Sequence, residues 1–162
     1  MRLPFLLFAA ILIGLSSQGR TASYIATEAD TAVVAFQLLY AQAFDSRDAK
    51  AMAALFTENA TLQNEWGEIT QGRDKIEALV AALMAHLPTG TKLEDTSLVI
   101  QLVAPDVIVS QGISHRLVPG AEPTQMFFTR VLVKESGQWK LAATQIARPS
   151  NVPKPSPAPA TN

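Results

Sequence analysis

Residues 53–72, AALFTENATLQNEWGEITQG, constrain the fold more than any other part of the sequence. Residues 60–64 are predicted to form a strand, residues 65–68 a tight turn, and Gly72 ends the returning strand. An amphipathic helix is predicted on either side of this stretch, and four β-rich runs follow it. The sequence therefore predicts an α+β domain with room for a ligand between its helices and its sheet.

Three helices are predicted before the β-rich runs. The first carries Val33, Phe36, Tyr40 and Phe44 on one apolar stripe, because these residues recur at steps of three and four. Asp48 is expected to cap a short second helix that runs through residue 56. The stripe of a third helix, which Pro88 and Gly90 end, consists of Ile76, Leu79, Val80, Leu83 and Leu87. Each stripe is predicted to pack on a sheet.

The second half of the sequence is predicted to be a sheet. Its four β-rich runs comprise residues 91–103, 107–118, 124–135 and 138–148, and short segments rich in Pro and Gly separate them. Consecutive strands joined by such short turns pair antiparallel. The runs therefore predict an antiparallel meander.

Composition narrows the possible partners. The 162 residues, 48% of them hydrophobic and 17% charged, are enough for a single globular domain with a sizeable core. The net charge is -1 and the Lys and Arg residues are scattered, so no basic surface for nucleic acid is expected. The chain has no cysteine, and a disulfide is therefore excluded.

The two ends of the sequence are predicted to lie outside the domain, which we assign to residues 23–149. Residues 1–22 are typical of a signal peptide, with Arg2, an apolar run at residues 3–15 and small residues near Gly19. An uncleaved anchor is the alternative, although spanning a bilayer takes roughly 20 apolar residues. We expect a periplasmic or secreted protein without stable membrane insertion. Residues 150–162 are rich in proline and predict a disordered, solvated tail; a ligand for an aromatic groove is the alternative.

Residues 40–64, 72–84 and 137–141 resemble the nuclear transport factor two-like superfamily, and within it the SnoaL-like and SgcJ/EcaC-type proteins. The resemblance extends over residues 27–149. It implies a cone-shaped fold in which a strongly curved sheet wraps around a long helix, with an open-ended pocket and a homodimer packed through the sheet. Members include isomerases, dehydratases, polyketide cyclases, hydrolases and modules without chemistry, so the fold alone does not assign a function.

Residues 40–64 also resemble ketosteroid isomerases in their spacing. Tyr40 falls where those enzymes keep a tyrosine that donates a hydrogen bond to the developing oxyanion. Asn64 falls where they keep an aspartate that moves the proton, and an amide cannot act as that base. The adjacent Glu65 is expected on the opposite face of the strand, where it solvates the turn. The resemblance therefore favours a polar pocket but not steroid-type proton transfer.

Strand alternation nominates further pocket residues. Odd positions of residues 107–117 are mostly apolar and include His115, whose reference pKa is near neutral. Gln145 shares an alternating face with Trp139, and Arg130 shares one with Phe128. For His115 the alternative is a satisfied histidine of the core or rim. For Arg130, expected to bind an anionic group, the alternative is a salt-bridged or solvent-reaching side chain.

Trp66 is a candidate stacking lid over the pocket, and the alternative is an aromatic residue that plugs the core.

Two functions remain open for the protein. No metal-ligand spacing, phosphate loop, nucleophile elbow or cofactor fingerprint is found, so no cofactor or metal is expected. One hypothesis is an enzyme of lyase, isomerase or cyclase type acting on a small, largely apolar molecule. In it His115 is the acid or base, and Tyr40, Asn64 and Gln145 orient a carbonyl. The alternative is a non-catalytic ligand-binding or homodimerising module.

Overall fold

The structure is a computed structural model that describes residues 27–150. The predicted signal peptide and all of the predicted tail except Ser150 lie outside the described residues, and both stay predictions. The elements, in chain order, are α1 (Glu28–Asp45), α2 (Ala49–Ala54), β1 (Phe56–Gln63), β2 (Ile69–Gln71), α3 (Arg73–His86), β3 (Lys92–Ala104), β4 (Val107–Leu117), β5 (Thr124–Glu135) and β6 (Gln138–Ala147). No helix within residues 27–150 has the length and apolarity needed to cross a membrane.

The first two helices follow the prediction closely. A capping box starts α1: the Thr27 side chain accepts from the Asp30 amide, and the Asp30 carboxylate accepts from the Thr27 amide. All four residues of the predicted α1 stripe are buried. Asp48 caps α2 as predicted, accepting a 2.8 Å hydrogen bond from the Ala51 amide. The helix ends at Ala54 rather than at residue 56, because Phe56 already pairs with Leu141 in the sheet.

The third helix begins where β2 ends. Gly72 has φ 96°, a conformation that residues with a side chain rarely adopt, and it turns the chain directly into α3. From α3, Ile76, Val80 and Met84 are buried against the sheet. The helices therefore cover one face of the sheet, and the core lies between the helices and that face.

The six strands form one curved, unclosed sheet in the order β2-β1-β6-β5-β4-β3. Strands β3 to β6 pair antiparallel in sequence order, which confirms the predicted meander. The β1 strand pairs antiparallel with β2 and parallel with β6. The predicted α+β cone, with three helices on a mostly antiparallel sheet, is confirmed.

Two irregularities decide which side chains face the helices. In β6, Val131 pairs with Ala143 and Leu132 pairs with Leu141, so Ala142 is an extra residue that reverses the alternation. In β4, a side chain at Gly112 would collide with the Thr96 carbonyl oxygen. The absence of that side chain leaves room for the Phe128 ring on the inner face of the sheet.

Candidate functional site

A cavity lies between the helices and the inner face of the sheet. Its apolar wall is formed by Phe44, Met52, Leu62, Leu79, Val80, Leu83, Leu93, Met126, Phe128 and Ile146. Its polar lining consists of Tyr40, Asn64, Glu65, Ser114, Arg116 and Arg130, with Trp66 also in the wall. The volume is about 140 Å³, close to the roughly 150 Å³ of an engineered apolar cavity that admits benzene. The cavity is therefore suited to a molecule with about one ring.

Tyr40 brings a phenol to this cavity from α1. Its side chain is buried, and its ring lies 5.8 Å from that of Phe36, measured between centroids. Burial raises the pKa of the Tyr40 hydroxyl above 10.0, and the positive charge of Arg130 opposes that effect without cancelling it. The hydroxyl is therefore protonated at neutral pH and available as a hydrogen-bond donor.

Arg130 and Asp95 form an ion pair deep beside the cavity. Arg130 Nη1 donates to Asp95 Oδ2 over 2.6 Å, and the side chains are only 3% and 1% exposed. The guanidinium carbon lies 4.1 Å from the Phe128 ring centroid and 4.5 Å from that of Tyr40. Arg130 shares its strand face with Phe128, as predicted, and lines the cavity. The salt-bridged alternative for this arginine is what the structure contains.

Glu65 is the centre of a second ionic cluster at the cavity. Its carboxylate accepts from Arg116 Nη2 at 3.2 Å and from Arg148 Nη2 at 2.7 Å. Burial alone would raise the pKa of Glu65, but the hydrogen bonds and charges of Arg148 and Arg116 outweigh it and lower the pKa below 4.5. The prediction that Glu65 faces away from the pocket is wrong. Strand β1 ends at Gln63, so the two-residue alternation does not extend to Glu65.

Asn64 and Trp66 both line the cavity, with different roles in the turn. Asn64 Oδ1 accepts from the amides of Trp66 and Glu68 at 3.0 Å each, and Asn64 Nδ2 donates to Glu68 Oε2 at 2.7 Å. The Asn64 amide is thus engaged in closing the turn. Trp66 is 68% exposed, and the Arg148 guanidinium lies 4.0 Å from its ring centroid. Trp66 therefore covers the rim of the cavity and does not plug the core.

His115 does not face the cavity, and the predicted facing is wrong. The inner face of β4 is made by the even positions, where Ile108, Ser110, Gly112 and Ser114 are buried. His115 follows Ser114 and lies on the outer face, in register with Glu94 and Gln125 on the neighbouring strands. Hydrophobicity misled the prediction, because three of the four buried inner positions, Ser110, Gly112 and Ser114, are small or polar.

Gln145 is also on the outer face. The predicted alternation from Trp139 holds as far as Leu141, which is buried. Beyond Leu141 the extra residue Ala142 reverses the alternation, so Thr144 is buried and Gln145 is exposed. The structure therefore brings Tyr40, Asn64, Trp66 and Arg130 to the cavity but neither His115 nor Gln145.

Sequence reasoning missed Asp95, Ser114 and Arg116 as residues of the site. One usable signal was Gly112, because a glycine inside a strand often marks close approach of another group and so identifies the inner face. That assignment would have placed Ser114 and Arg116 inward as well. Asp95 left no local signal, since its partner Arg130 is 35 residues away in the sequence. Within residues 27–150, no group of three or more His, Cys, Asp or Glu residues is placed to hold a metal ion.

Comparison with known proteins agrees with this architecture. Residues 33–149 match the SnoaL-like domain family. No curated protein is significantly similar to the sequence. One similar solved structure is a cystatin-like fold domain of unknown function from Nostoc punctiforme; it is 20% identical, with 79% of this chain and 82% of that chain covered and a TM-score of 0.69. Another is a protein of unknown function from Mycobacterium tuberculosis; it is 21% identical, with 80% of this chain and 81% of that chain covered and a TM-score of 0.69.

A third similar structure is a ketosteroid isomerase-like protein from Erwinia carotovora atroseptica. It is 17% identical, with 76% of this chain and 98% of that chain covered and a TM-score of 0.65. At such low identity these likenesses show the fold. The predicted resemblance to nuclear transport factor two-like and SnoaL-like proteins is confirmed, whereas the narrower likeness to SgcJ/EcaC-type proteins stays a prediction.

Proposed function

We propose a function from the premise that this chain belongs to the SnoaL-like domain family. That family and its fold support a small-molecule binding or isomerase-type protein. Our proposal is a protein that binds a small, largely apolar molecule of about one ring, with Tyr40 donating a hydrogen bond to an acceptor on that molecule. Non-catalytic binding is the function that the geometry supports best.

One observation carries the proposal: a mostly apolar cavity of about 140 Å³ is lined by Tyr40, a buried and neutral tyrosine. Ligand pockets are typically apolar, with a small number of polar groups that fix the orientation of the ligand. Tyr40 is such a group. Its ring lies on α1 against the rings of Phe36 and Phe56, and its hydroxyl stays protonated. Trp66 supplies an exposed aromatic surface at the rim.

Acid–base chemistry of lyase, isomerase or cyclase type is the second candidate. A neutral phenol suits stabilisation of a developing oxyanion, and Glu65 is a deprotonated carboxylate at the same cavity. However, two guanidinium groups hold Glu65 and weaken it as a base. His115 lies outside the cavity, so we do not assign proton transfer to it. These are the reasons for preferring binding over catalysis.

The first test fills the cavity by mutation. Leu83, which lines it, and Leu38, which is 67% exposed on α1, are both changed to Trp in separate variants. Cyclohexanone and acetophenone should raise the melting temperature of the wild type and of Leu38→Trp but not of Leu83→Trp. Tyr40→Phe should weaken binding about 5- to 30-fold, the loss of one hydrogen bond worth about 1 to 2 kcal/mol.

Either of two results would refute the binding proposal: no one-ring compound stabilises the wild type, or Leu83→Trp binds as the wild type does. Product analysis by NMR on the same mixtures separates the candidates. A product that forms with wild type and not with Tyr40→Phe would replace the binding proposal by the enzymatic one.

We also propose that the protein forms a homodimer through the outer face of the sheet. On that face Val99 and Phe127 are 43% and 41% exposed, which is unusual for large apolar side chains in the middle of a sheet. Sedimentation velocity should give a dimer, and Phe127→Glu should give a monomer with unchanged circular dichroism. A monomeric wild type at micromolar concentration would contradict this proposal.

A further inference from the structure

We propose that the ligand of the cavity carries a carboxylate and that Arg116 receives it. The inference rests on the proposed function and names its ligand class more narrowly. It follows from an imbalance of hydrogen-bond donors and of charge at the polar end of the cavity. Arg116 and Arg130 both have an unpaired Nε there, and Arg116 is the more exposed of the two. Strand alternation did not nominate this residue, although Gly112 marks the strand face that Arg116 shares as the inner one.

The hydrogen bonds of Arg116 are incomplete. A guanidinium has five N–H donors, and it binds a carboxylate best through two parallel hydrogen bonds. Arg116 donates to Glu65 through Nη2 alone, at 3.2 Å, and the same nitrogen lies 3.7 Å from Met126 Sδ, a weak acceptor. Its Nε is buried and has no hydrogen-bond partner among residues 27–150. Arg116 therefore has donor capacity beyond what the protein uses.

Arg116 and Arg130, which both line this cavity, each have an unpaired donor. Four buried side-chain atoms within the described residues have no hydrogen-bond partner: Arg116 Nε, Arg130 Nε, Thr144 Oγ1 and Asp95 Oδ1. Three of the four can donate, and only the Asp95 oxygen is purely an acceptor. Buried polar atoms are nearly always paired, so a surplus of donors calls for an acceptor from outside the chain.

The charges are also unbalanced in one direction. The two ionic clusters contain three guanidinium groups, of Arg116, Arg130 and Arg148, against the carboxylates of Asp95 and Glu65. A ligand with one negative charge would balance them. A carboxylate has that charge, is planar like the guanidinium, and leaves the rest of a one-ring molecule for the apolar wall.

Arg116 is better placed than Arg130 to receive this group. The Arg130 side chain is 3% exposed and lies against two aromatic rings and Asp95, whereas Arg116 retains 14% exposure and lines the cavity. Glu65 would stay paired if Arg116 turned toward a ligand, because Arg148 holds its other oxygen at 2.7 Å. Binding of a ligand at Arg116 therefore does not leave the Glu65 carboxylate without a cationic partner.

The test compares matched acids and amides. Calorimetric titration of the full chain near neutral pH uses benzoate against benzamide, and cyclohexanecarboxylate against its amide, so that shape is held constant while charge changes. Each carboxylate should bind at least about tenfold more tightly than its amide, as expected for a charge-assisted pair of hydrogen bonds. Arg116→Gln should remove this preference and leave amide binding within about threefold of wild type.

Two controls isolate the role of Arg116. Lys50→Gln makes the same change in net charge at an exposed position of α2, and it should keep the full preference for carboxylate. Arg116→Lys retains the charge but loses the planar pair of donors, and it should keep only part of the preference. If Arg116→Gln does not fold, the ¹⁵N signal of Arg116 Nε in the wild type supplies the answer, because it should shift with benzoate and not with benzamide.

The inference is overturned if amides bind as tightly as carboxylates, if Arg116→Gln keeps the preference, or if the Nε signal does not respond. Tight binding of neutral ketones and amides without a carboxylate preference would leave the proposed function standing and indicate that ordered water pairs the donors. Failure of every one-ring compound, charged or neutral, would overturn both.

Discussion

The two ionic clusters beside the cavity use the same chemical groups at different depths. In the deep cluster, Arg130 and Asp95 are almost completely buried and share one 2.6 Å hydrogen bond. In the outer cluster, Glu65 lies between Arg116 and Arg148, and the Arg148 side chain is 45% exposed. Solvent access, more than the number of ion pairs, therefore decides what each cluster contributes to stability and binding.

Aromatic rings distinguish the clusters in the same way. The Arg130 guanidinium contacts two rings, those of Tyr40 and Phe128, and is removed from water by them. The Arg148 guanidinium lies over one ring among the described residues, the exposed ring of Trp66. Removing the carboxylate partner of a buried cation costs much free energy, because no water replaces it. A cation at the rim can exchange its partner for water at little cost.

The largest effect is expected from breaking the deep pair. Asp95→Asn should lower the free energy of unfolding by about 3 to 5 kcal/mol, because it leaves the Arg130 charge buried without a counterion. Urea denaturation measures this loss. The double variant Asp95→Leu/Arg130→Met is the control and should recover most of it, since apolar groups often replace a buried pair without cost. A loss of under about 1 kcal/mol in Asp95→Asn would mean that Arg130 reaches water.

An intermediate effect is expected from the outer carboxylate. Glu65→Gln should cost about 1 to 3 kcal/mol near neutral pH, the range for hydrogen bonds to a charged group. The folded pKa of Glu65 is below 4.5, so its contribution is complete above pH 4.5 and is lost as the pH falls through the folded pKa. The stability difference between wild type and Glu65→Gln should therefore shrink in acid. A difference that is equal in neutral and acidic urea titrations would contradict the ion-pair assignment.

The smallest effect is expected at the rim. Arg148→Gln should change the free energy of unfolding by less than about 1 kcal/mol, because a half-exposed ion pair is screened by water. Added salt should reduce even this difference. Thermal unfolding at low and high salt, without denaturant, measures this stability difference. Lys140→Gln is the control, because it makes the same change in net charge. A loss as large as that of Asp95→Asn would remove the distinction between the two clusters.

Much of the fold could be predicted because its signals are local. The spacing of Val33, Phe36, Tyr40 and Phe44 defines a helix face within three turns, and Gly72 marks the start of α3 through its backbone conformation alone. The four β-rich runs and their turns likewise predict the meander. Each of these features depends on residues that are close in sequence, where periodicity and turn chemistry act directly.

The candidate site was predicted only in part. Tyr40, Asn64, Trp66 and Arg130 line the cavity, as their helix stripe, turn and strand positions suggested. Alternation placed Gln145 wrongly because a single extra residue in β6 reverses the faces of the strand. It placed His115 wrongly because the inner face of β4 is less apolar than the outer one. One sequence does not reveal a bulge, nor which of two similar faces the helices cover.

The amino-acid sequence was enough to predict the helices, the meander, the position of Tyr40 and the likeness to SnoaL-like proteins. The pairing of the charges became visible only in the folded chain: Asp95 pairs with Arg130 across 35 residues, and Glu65 pairs with Arg116 and Arg148 across 51 and 83 residues. The physical reason is range. Hydrophobic periodicity and turn preferences act between neighbours, whereas ionic partners are brought together by strand order, register and bulges, which are fixed only when the whole sheet has formed.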